Sequence, residues 1–385
     1  MPPSDPASGA RIPLGPQSAL RALWTRSGAI LDGAFGLVAL VLFLAVISAI
    51  PLLNLLSLGY LLEASGRIAK SGRLADGFPG LMGFARAGRA IFCAWILLLP
   101  ARLLHGMFLD AELIAQGSSQ SLALRALLAL YLVAASFHFF WALHRGGRWR
   151  HFLWPAPLRF LRWLGEDFRT GSPFRGLGEK VRRLRIASFL RVGVLGFAGA
   201  ALWLALPVAV LFGASLLERP GLAAFVSLVG AILLGAAALL VPFLQTRFAR
   251  TGRFAEFLRP GSARAAFRRA PLAFLTAVSA TLLLALPLYL LKIELAPSEL
   301  VWIPNLFFVL FAIPARLLLG WAVHRSERRE TPRFWLLRWS ARVAALPVAA
   351  AYVFVVWISQ YLSWHGTFGL LEQHAFLVPA PLFGL

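Results

Sequence analysis

Cysteine and carboxylate are the scarcest chemistry in this sequence. Cys93 is the single cysteine among 385 residues, so neither an intrachain disulfide nor a thiolate metal cluster can be built. Asp and Glu number 16 against 38 Lys and Arg, a formal charge of +22. No acidic residue falls in the middle of a long apolar run. That weighs against proton- or sodium-coupled transport, where a carboxylate at mid-membrane commonly carries the ion. The motifs of soluble catalysis are also missing: GxxxxGK[ST], GxSxG and HExxH do not occur, which removes the usual ATPase, hydrolase and zinc-protease readings. The seven histidines are scattered, and the one loose group, His365 and His374 near Glu372, has poor spacing for a metal. The expectation is a non-enzymatic protein with no cofactor and no metal.

What the chain has in excess is apolar surface. A hydrophobic content of 59%, a charged content of 14% and a mean hydropathy of +0.75, spread over several apolar runs near 20 residues, describe an all-α, polytopic transmembrane bundle. The basic residues gather in 67–89, 145–191 and 247–269. Clusters beside apolar spans are what the positive-inside rule produces, and this placement explains the charge without nucleic acid. Only Lys70, Lys180 and Lys292 are lysines; the other basic residues are arginine.

About 20 apolar residues cross the hydrocarbon core as a helix. The stretch 30–68 is about twice that length, with Pro51 and Asn54 at its middle. It reads as a hairpin of two spans, one long broken helix being the alternative. Spans follow at about 90–109, 121–144, 191–216, 222–246, 272–291, 300–324 and 341–362. The count is nine, with seven or eight as alternatives, in a bacterial plasma membrane. Residues 1–28 form a disordered cytoplasmic tail, 29–190 a first module including an Arg/Trp-rich cytoplasmic segment at 145–190, and 191–340 a second module. Residues 341–385 supply a last span and an outer C-terminal segment against the membrane surface.

The modules echo one another. "RIAKSGRLAD" from Arg67 and "RFARTGRFAE" from Arg247 lie 180 residues apart, as do "WALHRGGR" from Trp141 and "WAVHRSER" from Trp321. Two motifs at one offset suggest a duplication, and since both elbows follow an apolar span toward the basic side, the repeat is read as parallel. Within each elbow, Arg67 with Lys70 and Arg247 with Arg250 share a helix face. Gly72 and Gly252 end the helix in the left-handed conformation. Arg73 and Arg253 follow, with Asp76 and Glu256 placed to pair with them or to begin the next helix. The segments 77–92 and 255–271 then mix Phe, Leu and Arg as interfacial amphipathic helices do. Either these six cations bind anionic lipid headgroups, or they snorkel and orient the chain.

The decapeptide, with "GYLLEASGR" before it and proline-containing spans after it, resembles a family of uncharacterised prokaryotic multi-pass membrane proteins. The layout is also similar to the membrane region attached to some glycerophosphodiester phosphodiesterases. The match covers roughly 50–325, through Gly59, Tyr60, Arg67, Gly72, Arg73, Arg247, Ala249, Gly252 and Arg253. The resemblance implies architecture and no activity, and the 145–190 segment departs from it.

Inside the spans, Arg316 lies eight residues from His324, about 12 Å from the inner end. His138 lies six residues before His144 on the corresponding helix. Arg102 and His105 share a face nearer the outer end. A polar pocket formed by Arg316 and His138 would suit a carrier of an anionic or lipidic substrate; otherwise Arg316 is buried against backbone carbonyls. Small residues at 193–200 and 230–238 allow close helix approach. The first functional expectation is a protein that binds anionic lipids or organises membrane partners, among them a second copy of itself. The alternative is the carrier.

Overall fold

The structure, a computed structural model, describes residues 16–166, 185–290 and 302–362, and near the C-terminus 366, 370, 374 and 376–378. Residues 1–15, 167–184 of the Arg/Trp-rich segment, the outer loop 291–301 and the remaining C-terminal positions lie outside the described residues. Among the described residues there is no strand. The helices are α1 (Pro16–Ser48), α2 (Asn54–Ser71), α3 (Leu81–Ile114), α4 (Ser119–His144), α5 (Trp149–Leu153), α6 (Pro157–Glu166), α7 (Ile186–Ser215), α8 (Pro220–Thr251), α9 (Pro260–Arg269), α10 (Pro271–Leu290), α11 (Trp302–Glu327) and α12 (Trp335–Leu362). Eight of these, among the described residues, are long and apolar enough to cross a membrane. The molecule is an all-α, multi-pass helical protein. α2 has 18 residues but carries Glu63, Arg67 and Lys70, and it is the helix that separates this count from nine.

Residues 16–28, expected within a disordered tail, extend α1 instead, with Pro16 in the first turn, where an N–H has no intrahelical partner to lose. The break between α1 and α2 falls at residues 49–53, around Pro51. There the chain turns back on itself: Ser48 Oγ donates to Ser57 Oγ at 2.7 Å, whereas nine residues of continuous helix would span about 13 Å.

The helices sort into two compact units, divided within α1 after Leu40; residues 81–166 join the first part of α1, and residues 41–80 join the chain from 185 onward. In the first unit α3 and α4 run antiparallel across a turn capped by Ser118, whose Oγ accepts from the Ser121 N–H at 3.2 Å. Tyr131 donates its hydroxyl to the Leu97 carbonyl at 2.7 Å, and buried Arg89 of α3 pairs with Asp32 of α1. The segment 77–92, expected as a separate interfacial helix, is not one. α3 runs unbroken for 34 residues, about 51 Å, because no helix breaker separates its amphipathic start from its apolar continuation. The second elbow differs. Ala270, at φ −139 and ψ 58, precedes Pro271, a setting that disfavours helix, so amphipathic α9 ends there and α10 starts afresh. The prolines at 100, 207, 287 and 314 all sit within continuous helices.

The second unit is organised around α2, 12 of whose 18 residues are buried. Three helices press on its backbone. Gly59 and Gly193 bring α2 and α7 together so closely that a Cβ on either would overlap the carbonyl of Phe189 or Leu55. Gly66 lies against Ala249 of α8, and Gly320 of α11 against the Ser65 carbonyl. Farther along α7, Gly196 meets Leu62 and Gly199 meets Phe257. Such close approach is how membrane helices gain dispersion energy where no hydrophobic drive exists between them.

Two glycines of α7 therefore respond oppositely to the same change. Gly193→Ala is expected to lose about 1–3 kcal/mol through overpacking. Gly213→Ala, with open space around it, is expected to be neutral or to gain up to about 1 kcal/mol of helix propensity. Unfolding of both variants in mild detergent, followed by circular dichroism, checks the difference in sign.

Candidate functional site

The two basic elbows follow the same backbone path. α2 ends at Gly72 and α8 at Gly252, with φ 74 and 73, and each glycine N–H reaches the carbonyl four residues back, Ile68 or Phe248, at 2.7 Å. Arg73 and Arg253 are extended, at φ −100 and −102. Their N–H groups donate to Ser71 Oγ and Thr251 Oγ1 at 3.2 and 3.3 Å. A 3-10 turn follows in both, Leu74–Gly77 and Phe254–Leu258. The hydroxyl partners went unrecognised in the sequence, although Ser71 and Thr251 occupy the same place in the two decapeptides.

Both elbows leave the unit at one end, since Gly66 and Ala249 touch only six and three residues before the capping glycines. The C-terminal turns of α11 close over them. His324 packs its ring on Gly72, with Nδ1 3.3 Å from the Ala69 carbonyl. Glu327 accepts from Arg250 and lies 3.9 Å from Arg247. The "WAVHRSER" exit therefore touches both elbows, His324 on the first and Glu327 on the second. Gly252 has open space where Gly72 has the imidazole.

The six elbow cations divide into two groups. Arg67 pairs with Glu63 at 3.0 Å, and Arg185 approaches the same carboxylate at 3.7 Å. Arg247 pairs with Glu256 at 3.0 Å, and Arg250 with Glu327. Glu256 thus serves Arg247 rather than Arg253, because the 3-10 turn folds it back beneath the helix end, where it is buried. Lys70, Arg73 and Arg253 are exposed and have no carboxylate partner among the described residues. Of the six, these three are the ones whose charge no carboxylate among the described residues offsets.

Arg316 is fully buried and donates through Nη2 to the Phe376 carbonyl. Its Nε and Nη1 have no hydrogen-bond partner among the described residues. Gln245 donates to the carbonyls of Gly196 at 3.2 Å and Leu377 at 2.7 Å. Residues 374 and 376–378 are buried, and Phe376 sets its ring 5.4 Å from Phe308. The C-terminal segment, expected on the outer surface, enters the bundle at these positions. Non-helical backbone is tolerated at membrane depth where protein groups satisfy its carbonyls, and Arg316 and Gln245 do so. His374 turns its Nε2 to the Leu370 carbonyl at 2.7 Å; His365 and Glu372 lie outside the described residues.

His138 belongs to the first unit and Arg316 to the second, and each is held by its own backbone partner. His138 Nε2 donates to the Phe152 carbonyl at 2.6 Å, which places its hydrogen on Nε2. Arg102 and His105 are exposed on α3, the imidazole 6.3 Å from the Phe108 ring.

The glycine caps give a graded test. An alanine at either position costs about 1–2 kcal/mol for the left-handed backbone. Gly72→Ala must also displace the His324 ring, whereas Gly252→Ala meets nothing. Gly72→Ala is therefore expected to lower the unfolding temperature further than Gly252→Ala, and His324→Ala to narrow the gap. Compared with known protein families, with curated proteins and with solved structures, the chain matches none.

Proposed function

We propose that this chain is a non-enzymatic, multi-pass protein of a bacterial plasma membrane that holds anionic lipid headgroups at its two elbows. In this reading the N-terminus and both elbows face the cytoplasm, α2 is a ninth crossing shielded from lipid by α7, α8 and α11, and the elbow-bearing modules are a parallel duplication. A membrane partner or a second copy of the chain would meet the same lipid-coated face. The observation that carries the proposal is the set of three exposed cations, Lys70, Arg73 and Arg253, without carboxylate partners among the described residues and at or just past helix ends that converge. A basic residue at an anionic surface contributes about 1 kcal/mol, and ion-paired neighbours contribute less.

Lipid composition around the purified protein tests this. In native nanodiscs, phosphatidylglycerol is expected to be enriched over phosphatidylethanolamine around the wild type. The enrichment falls several-fold in Lys70→Gln/Arg73→Gln/Arg253→Gln and changes little in Arg67→Gln. Equal enrichment in the wild type and the triple variant removes the elbow reading.

The carrier reading draws on one feature, the two guanidinium nitrogens of Arg316 that lack partners among the described residues. If it holds, proteoliposomes scramble fluorescent phosphatidylglycerol faster than protein-free vesicles, and Arg316→Gln abolishes the excess. If the elbow reading alone holds, wild-type and protein-free vesicles scramble at the same rate.

A further inference from the structure

Beyond the elbows, the first unit carries a cleft of about 500 Å³ lined by Arg86, Arg145, Arg148, Arg150, Arg159 and His151. Its walls come from four places: Arg86 on α3, Arg145 and Arg148 around the turn after α4, Arg150 and His151 on α5, and Arg159 on α6. The turn depends on consecutive left-handed glycines, Gly146 at φ 106 and Gly147 at φ 60, which let Arg145 and Arg148 flank one hollow. No carboxylate lines the cleft, and none pairs with these five arginines among the described residues.

The cleft is built rather than accidental. His138 and Trp141 on α4 and Arg145 at its C-cap follow one helical face at i, i+3 and i+7, and all three donate to carbonyls of the segment that follows. His138 takes Phe152, Trp141 Nε1 takes Pro155 at 2.9 Å, and Arg145 takes both His151 and Trp154. Arg145 also lies over the Trp141 ring, 5.5 Å from its centroid, so its guanidinium is fixed before any ligand arrives. The Arg148 N–H faces His151 Nδ1 at 3.4 Å, leaving the ring hydrogen on Nε2. Partial burial and then the charges of Arg145, Arg150, Arg148 and Arg159 push the His151 pKa below its usual range. Beside the cleft, Leu153, Trp154, Leu158 and Leu161 are exposed, an apolar and indole-bearing surface of the kind that settles at the headgroup level.

We infer that this cleft binds a phosphomonoester, either the headgroup of a lipid such as phosphatidic acid or a soluble ester of the same chemistry. Arginine forks match phosphate oxygens bidentately, and the volume falls within the 300–1,000 Å³ common for small-ligand sites. Five guanidiniums without a local counter-charge favour a dianionic monoester over a monoanionic diester. The inference stands apart from the elbow reading, which concerns the second unit and anionic headgroups in general.

Purified full-length protein in phosphatidylcholine nanodiscs, doped with either phosphatidic acid or phosphatidylglycerol, provides the test. Phosphatidic acid is expected to be retained over phosphatidylglycerol, and Arg86→Gln/Arg150→Gln/Arg159→Gln to weaken that retention by about tenfold or more. The elbow triple variant lowers retention of both lipids and leaves phosphatidic acid preferred, and His138→Gln, which loosens the clamp, weakens the preference to a lesser degree. Displacement by soluble glycerol 3-phosphate assigns the soluble ester, and persistence against it assigns the lipid. Equal retention by the wild type and the cleft variant, with unfolding temperatures unchanged, overturns the proposal, as does a wild type that does not prefer the monoester.

Discussion

The second unit depends on one contact type, main chain against main chain, made around α2. With lipid as apolar as any side chain, helices gain little by hiding leucine, so proximity itself must supply the attraction. Gly59, Gly66, Gly193 and Gly320 remove the side chains that would hold the backbones apart. The consequence reaches the chemistry. Because α2 is enclosed by protein, it can carry Asn54, Ser57 and Ser65 without presenting them to hydrocarbon. Its charged end can then be fixed beside that of α8 and beneath that of α11. The placement of the elbow cations follows from the glycine crossings.

Ion pairing then decides which charges matter. Glu63, Glu256 and Glu327 neutralise the arginines nearest the apolar helices, where an uncompensated charge is most costly. Arg73 and Arg253 stand past the capping glycines and Lys70 on the exposed last turn of α2, where water can solvate them. A scarcity of carboxylates thus has a spatial logic: Glu63, Glu256 and Glu327 each sit against an arginine that is partly withdrawn from solvent.

Local chemistry at the elbows was legible in the sequence. Gly72 and Gly252 had the right residue type, one turn past a basic pair, to be left-handed caps, and both are. The helix positions were also readable, because runs such as 121–144 and 222–246 need only length and hydropathy to be recognised. What could not be read were pairings over long separations. Glu327 looked like part of a basic exit segment, and nothing in its neighbours announced Arg250, 77 residues away. The partner of Arg316 was equally hidden, since any backbone carbonyl could have served. Small differences between echoed motifs also outweighed their similarity. In "WALHRGGR" the glycines stop α4 at His144 and open a turn, whereas in "WAVHRSER" serine and glutamate let α11 continue to Glu327. One echo became a cationic cleft, and the other a clasp over the elbows.

The hydrogen bond from Arg316 to Phe376 joins positions 60 residues apart. α11 has no acceptor of its own to offer this guanidinium, which is fully buried. Its partner comes from non-helical backbone at 376, held in place by the ring of Phe376 against Phe308 and by Gln245 at the Leu377 carbonyl. Helix packing alone therefore leaves the interior unfinished, and a short irregular segment completes it.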